Sequence, residues 1–189
     1  RLEYERRRET GREAAWEPHL KRLRKISGSA LRNLSLLGAW FAPYAESVKA
    51  IAGAREVLAN LAARGWKLAV VSNVPLPGKL YHRLLVRHGL ADSIQSWHWS
   101  YESRSRKPSP AMLRAALGAL GVAPSAAVMV GDRRGTDVAA GLTAGVGTVW
   151  LRSHDGGGPR PDLEIARIGE LPAVLEAWSS GRRHPFGGA

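Results

Sequence analysis

The chain has 189 residues, 44% of them apolar and 23% charged, which fits one globular domain with a small appendage and argues against wholesale disorder. It contains no cysteine, so disulfides, cysteine-ligated zinc and thiol catalysis are excluded. No apolar run nears the roughly 20 residues of a membrane span and no secretory h-region is present, so a soluble, cytoplasmic protein is expected.

Lys plus Arg number 28 against 16 acids, a net charge of +12. The excess is mostly arginine in an Ala- and Gly-rich chain, a composition that codon bias alone produces. Residues 1–40 hold 10 basic and 5 acidic groups, whereas 151–189 hold 5 of each. A basic patch can serve an anionic partner, but this dispersed charge does not make nucleic acid the expected one.

Residues 1–50 read as a helical unit. Trp16, Leu20, Leu23 and Ile26 fall near helical spacing, with Glu5, Glu9 and Glu13 among arginines on a solvated face. Ser29 can cap a second helix through Leu31, Leu34, Leu37 and Trp40, expected to end at Pro43. From Gly53 the pattern alternates. Val57, Leu58, Leu61 and Ala62 mark a helix closed by Gly65, and 67–71 form a short apolar strand. Leu80, Leu84 and Leu85 mark a helix that Gly89 can close, and 95–99 alternate weakly as a strand. Ser109 and Pro110 suit an N-cap and first helical residue, leading Met112, Leu113, Ala116, Leu117 and Leu120 along one face to Gly121. Strands follow at 127–130, 147–151 and, at an edge, 164–168, with a helix at 138–144 and a Gly/Pro loop at 154–161. Residues 51–178 thus form an α/β core, a Rossmann-like doubly wound parallel sheet with right-handed crossovers, and 179–189 a tail.

In such a sheet ligands bind beyond the carboxyl ends of the strands. Ser72 and Asn73 follow one buried run, and Gly131 and Asp132 another, with Asp137 five residues on. Arg106-Lys107-Pro108 lies between, before a helix start. A hydroxyl, a lysine and two carboxylates at one sheet edge suit phosphoryl transfer, with the lysine neutralising developing charge and a Mg²⁺ relieving the carboxylates' repulsion. Singly, each has a plain reading: turn formers, a solvated lysine, or acids that favour a helix N-terminus. Their order and spacing together favour the site. Trp97-His98-Trp99 reads as packing aromatics, and neither a P-loop nor a dinucleotide fingerprint occurs.

The segments Val70-Val-Ser-Asn73, Arg106-Lys-Pro-Ser-Pro110 and Val130-Gly-Asp-Arg-Arg-Gly-Thr-Asp-Val138 resemble motifs II, III and IV of the haloacid dehalogenase superfamily, over about residues 53–178. The resemblance implies that Ser72 binds a phosphoryl oxygen and that Asn73 shapes the substrate-binding loop. It implies that Lys107 stabilises the nucleophile and the transferring group. Asp132 would ligate Mg²⁺ and Asp137 support the metal shell. The helical segment at 1–50 would belong to a cap over the site. The implied activity is a Mg²⁺-dependent phosphatase that acts on a small phosphorylated substrate through an aspartyl-phosphate.

One departure is large. The family's nucleophile and general acid/base form an Asp-x-Asp motif, and this chain has Asp at 92, 132, 137, 155 and 162 only. The chain also begins at Arg1. The expectation is a fragment whose nucleophile lies upstream, inactive as it stands. The alternative is a degenerate module that binds an anionic partner through its basic surface.

Overall fold

The computed structural model describes residues 33–153 and 157–179. Of the first 32 residues it describes Lys21 and Lys25, both in helical backbone. The expected helix over 2–26, the Ser29 cap, the arginines at 6–8, Asp155 and nearly all of the tail lie outside the described residues.

Helix α1 spans Asn33–Ser47 and α2 Ala54–Ala63. Then come β1 (Ala69–Ser72), α3 (Gly78–Arg87), β2 (Ser96–Trp99), a single turn α4 (Ser100–Ser103) and α5 (Ala111–Leu120). Strand β3 (Val128–Gly131) runs into a π-helical turn over Arg134–Val138 and α6 (Ala139–Ala144). The chain closes with β4 (Gly147–Leu151), β5 (Leu163–Ile165) and α7 (Leu171–Ser179).

Every described strand pairing is parallel, as the alternation of helix and strand requires. The sheet itself falls into two. Strand β1 pairs with β2, Val70 opposite Trp97, while β3, β4 and β5 form a second sheet with Val130 opposite Val149. Among the described residues β1 and β3 share no ladder.

Helices cover both faces. Val57 and Leu61 of α2 join Leu171 and Leu175 of α7 against Val149 and Ile165. On the other face Leu113 and Leu117 of α5 and Ala144 of α6 pack on Met129 and Val146. Burying a leucine such as Leu61 contributes about 1.5–3 kcal/mol, so these two layers supply most of the cohesion described.

Three boundaries differ from expectation. Pro43 does not end α1, although proline removes an intrahelical hydrogen bond. Leu37 and Phe41 before it, and Ala45 after it, lie on one face packed against Leu76, Leu80 and Leu84. That continuous apolar contact holds the helix on both sides of the proline. The fifth strand stops at Ile165, because Ile168 begins a 3₁₀ turn that leads into α7. Pro110 occupies the cap position instead of the first helical turn of α5, and the Ser109 hydroxyl accepts the Ala111 amide at 3.4 Å.

Candidate active site

The carboxyl ends of β1 and β3 point to the same edge of the molecule, and Ser72 ends β1. Its hydroxyl is half-buried and makes no hydrogen bond to the described residues. Asn73 follows, and its amide works in both senses: Nδ2 donates to the Lys107 carbonyl at 2.9 Å, and Oδ1 accepts the Lys107 amide at 2.8 Å. This reciprocal clamp joins two loops 34 residues apart in sequence. Asn73 therefore positions Lys107, in keeping with its expected loop-shaping part. The second Nδ2 hydrogen remains for a ligand.

Lys107 is buried and precedes a cis peptide bond to Pro108. Its Nζ donates to the Val71 carbonyl at 2.6 Å and pairs with Asp137 Oδ1 at 2.8 Å. An ammonium has three hydrogens, so one remains for a ligand. Asp137 sits in the π-helical turn, equally buried. Its Oδ2 accepts the Arg133 amide at 3.0 Å, and Thr136 Oγ1 donates to Oδ1 at 3.4 Å. The close approach depends on Gly131, where a Cβ would overlap the Asp137 carboxyl group.

Asp132 differs. Its carbonyl accepts the Trp150 indole N–H at 2.9 Å and the Ser153 hydroxyl at 2.6 Å. Its carboxylate is exposed and has no partner among the described residues. The four expected residues Ser72, Lys107, Asp132 and Asp137 all border one cavity of about 1120 Å³.

The donor set can be tested against Mg²⁺, which takes one or two carboxylates with water and phosphate oxygens completing an octahedron. Asp132 fits as a carboxylate ligand because nothing else engages it. Asp137, with both oxygens held by Lys107 and the Arg133 amide, fits as support for that ligand's loop. No cluster of three metal-ligating side chains occurs among the described residues.

Trp150 and Ser153 escaped the sequence reading. Their signal was the parallel register, which sets Trp150 opposite Gly131 and so beside Asp132. The aromatic strand serves packing: Trp97 and Trp99 stack with centroids 5.8 Å apart, and His82 meets Trp97 edge-on at 4.6 Å. His98 accepts or donates a hydrogen bond with Ser96 Oγ at 2.7 Å, and burial lowers its pKa below the usual 6.5.

Fold and site together define an α/β protein with a hydroxyl, a buried lysine and two carboxylates gathered at the carboxyl edge of parallel strands. The model of the haloacid dehalogenase-like hydrolase family matches residues 3–145, and the chain belongs to that family. It is 45% identical over 100 residues to the phosphoglycolate phosphatase of Rhodospirillum rubrum, covering 52% of this chain and 40% of that one. To the phosphoserine phosphatase of Thermus thermophilus it is 40% identical over 129 residues, covering 66% and 49%. The chain thus spans half or less of the length of these relatives. Among solved structures, a HAD phosphatase from Thermococcus onnurineus superposes with a TM-score of 0.67 at 27% identity, over 88% of this chain and 75% of that one. Among the described residues no helix is long and apolar enough to cross a membrane.

Proposed function

We propose that the intact protein is a Mg²⁺-dependent phosphatase of small phosphorylated metabolites, working through an aspartyl-phosphate whose aspartate is not among these 189 residues. The observation that carries this reading is the Lys107–Asp137 pair. A buried ammonium with one uncommitted hydrogen faces the same cavity as the unpartnered Ser72 hydroxyl and Asp132 carboxylate. The phosphatase relatives, named for a phosphorylated hydroxy acid and a phosphorylated amino acid, support a small anionic substrate.

Each residue has a defined task in this reading. Ser72 donates its hydroxyl hydrogen to a non-bridging phosphoryl oxygen. The third hydrogen of Lys107 binds a second oxygen as negative charge grows there, the placement that lowers a barrier most in a water-poor site. Asp137 and Asn73 hold Lys107 in place, one by charge and one through its backbone. Asp132 would hold Mg²⁺, which would supply charge neutralisation at the phosphoryl group. Trp150 and Ser153 fix the loop that carries Asp132.

Phosphate release from a panel of small phosphomonoesters, with Mg²⁺ and with EDTA, tests this on the intact protein. Activity that needs Mg²⁺ and falls at least 100-fold in K107M is expected. No release from any monoester with Mg²⁺ present refutes the phosphatase reading and leaves the anion-binding module. The 189-residue chain by itself is expected to be inactive.

A further inference from the structure

We propose that Ser100 and Glu102, in the single turn α4, are positioning residues for the candidate site: they latch the segment after Ser72, residues 73–78, onto the segment that carries Lys107. The consequence for catalysis rests on the phosphatase reading, whereas the latch rests on geometry.

Ser72 depends on such a device. Its hydroxyl makes no hydrogen bond to the described residues, so no contact of its own fixes it. Its place is set by the backbone on either side. Before it runs the ladder with β2, whose last pair is Ser72 with Trp99. Beyond that pair the ladder stops, because the partner chain turns into α4 at Ser100.

Side chains take over where the ladder ends. The Ser100 hydroxyl accepts the Val74 amide at 2.8 Å and donates to the Val74 carbonyl at 3.1 Å. One fully buried hydroxyl thus satisfies both backbone groups of a residue that no strand pairs. Glu102 Oε1 accepts the Gly78 amide at 2.7 Å. That amide opens α3, where it has no intrahelical acceptor and where a carboxylate complements the helix dipole. Gly78 also lies so close to Trp99 that a Cβ would overlap the indole. Val74 shares a buried cluster with Trp99 and Tyr101.

These ties converge. The partners of Asn73, Val74 and Gly78 all lie within residues 99–107, a stretch that ends in Lys107 itself. The Ser72 hydroxyl and the Lys107 ammonium, the two donors assigned to phosphoryl oxygens, are therefore held by one cross-braced unit. On its other side the 73–78 segment meets α1, where buried Leu76 packs with Leu37 and Phe41. The segment is wedged between α1 and the Lys107 stretch, and Ser100 and Glu102 fasten it to the second. Two donors that must meet two oxygens of one group tolerate little displacement: a misplacement of about 1 Å can cost about 100-fold in rate.

A role confined to stability, as a cap of α3 and a filler of the core, would lower the melting temperature and leave the kinetics alone. The test therefore measures both on the intact protein, with Mg²⁺ and the phosphomonoester it hydrolyses fastest. Each variant is assayed about 15 °C or more below its own unfolding midpoint, so that loss of folded enzyme does not enter. Glu102 is exposed, so its variants keep the core intact. Glu102→Ala is expected to lower kcat about 10-fold or more with KM changed by less than about 3-fold. Glu102→Gln keeps an oxygen for the Gly78 amide and is expected to stay within about 2-fold of the parent. Ser100→Ala strands two buried backbone groups and is expected to lose at least as much kcat as Glu102→Ala. Unchanged kcat in Glu102→Ala overturns the proposal. So does an equal loss in Glu102→Gln, which would make the charge, and not the hydrogen bond, the active feature.

A second readout needs no substrate. Backbone ¹⁵N relaxation of the intact protein is expected to show the order parameters of Ser72 and Asn73 falling from about 0.85 toward about 0.6 in Glu102→Ala, with Glu102→Gln unchanged. Unaltered order at Ser72 and Asn73 overturns the latch. If the parent protein releases no phosphate, the phosphatase reading has failed and the latch is judged on this second result alone.

Discussion

The Lys107–Asp137 pair makes a sharp energetic prediction. Both side chains are more than nine-tenths buried, and Nζ lies 2.8 Å from Oδ1. Replacing Lys107 by Met keeps the side-chain length and leaves Asp137 with the Arg133 amide and a long contact from Thr136 as its remaining donors. Replacing Asp137 by Asn leaves the ammonium with the Val71 carbonyl as its strong remaining acceptor. An uncompensated buried charge costs about 3–5 kcal/mol, so each single variant should lose about that much. At roughly 2–4 °C per kcal/mol for a chain of this size, that is a fall of about 6–20 °C in melting temperature. The double variant K107M/D137N leaves no unpaired charge and should be more stable than either single. Urea unfolding of the four proteins measures the cycle, with the midpoint shift taken at constant m. If the double variant loses the sum, about 6–10 kcal/mol, the two groups do not stabilise each other and Lys107 is held by its carbonyl contact and the Asn73 clamp.

Asn73→Ala strips both partners from the Lys107 backbone and should cost about 1–3 kcal/mol in urea unfolding, with a fall in kcat of the intact enzyme at nearly unchanged KM. Gly131→Ala forces Asp137 aside and should destabilise by about 1–3 kcal/mol, whereas Gly118→Ala, in α5 with open space around its Cβ, should stabilise by about 0.5–1 kcal/mol. Burial lowers the pKa of His98, so the unfolded chain takes up its proton first as pH falls below about 6.5. Stability should therefore decline between about pH 7.5 and about pH 5, and His98→Gln should flatten that decline in unfolding midpoints measured at both ends.

The sequence carried the gathering of four polar residues at one cavity better than the contacts among them. Ser72 and Asp132 were legible because a parallel α/β chain repeats one rule, a buried apolar run followed by polar residues at its carboxyl end, and Lys107 and Asp137 by their order and spacing around them. The contacts that set the two aspartates apart were not legible. They depend on a π-helical turn that points Asp137 at Lys107, and on Trp150 in β4 and Ser153 just beyond it, which reach Asp132 from 18 and 21 residues away. Pro43 misled for a related reason: a local rule about a missing amide was outweighed by Leu37, Phe41 and Ala45, whose shared face is fixed by tertiary contact. The division of the sheet left no mark in any single segment, since β1 and β3 read as ordinary buried strands.

That division gives Lys107 its significance. Its ammonium joins the Val71 carbonyl of β1 to the carboxylate of Asp137 beyond β3, and so ties the two sheets at the candidate site. Its backbone is fixed from the other side by Asn73. A side chain so constrained cannot follow a substrate, and preorganisation of this kind is what electrostatic catalysis requires.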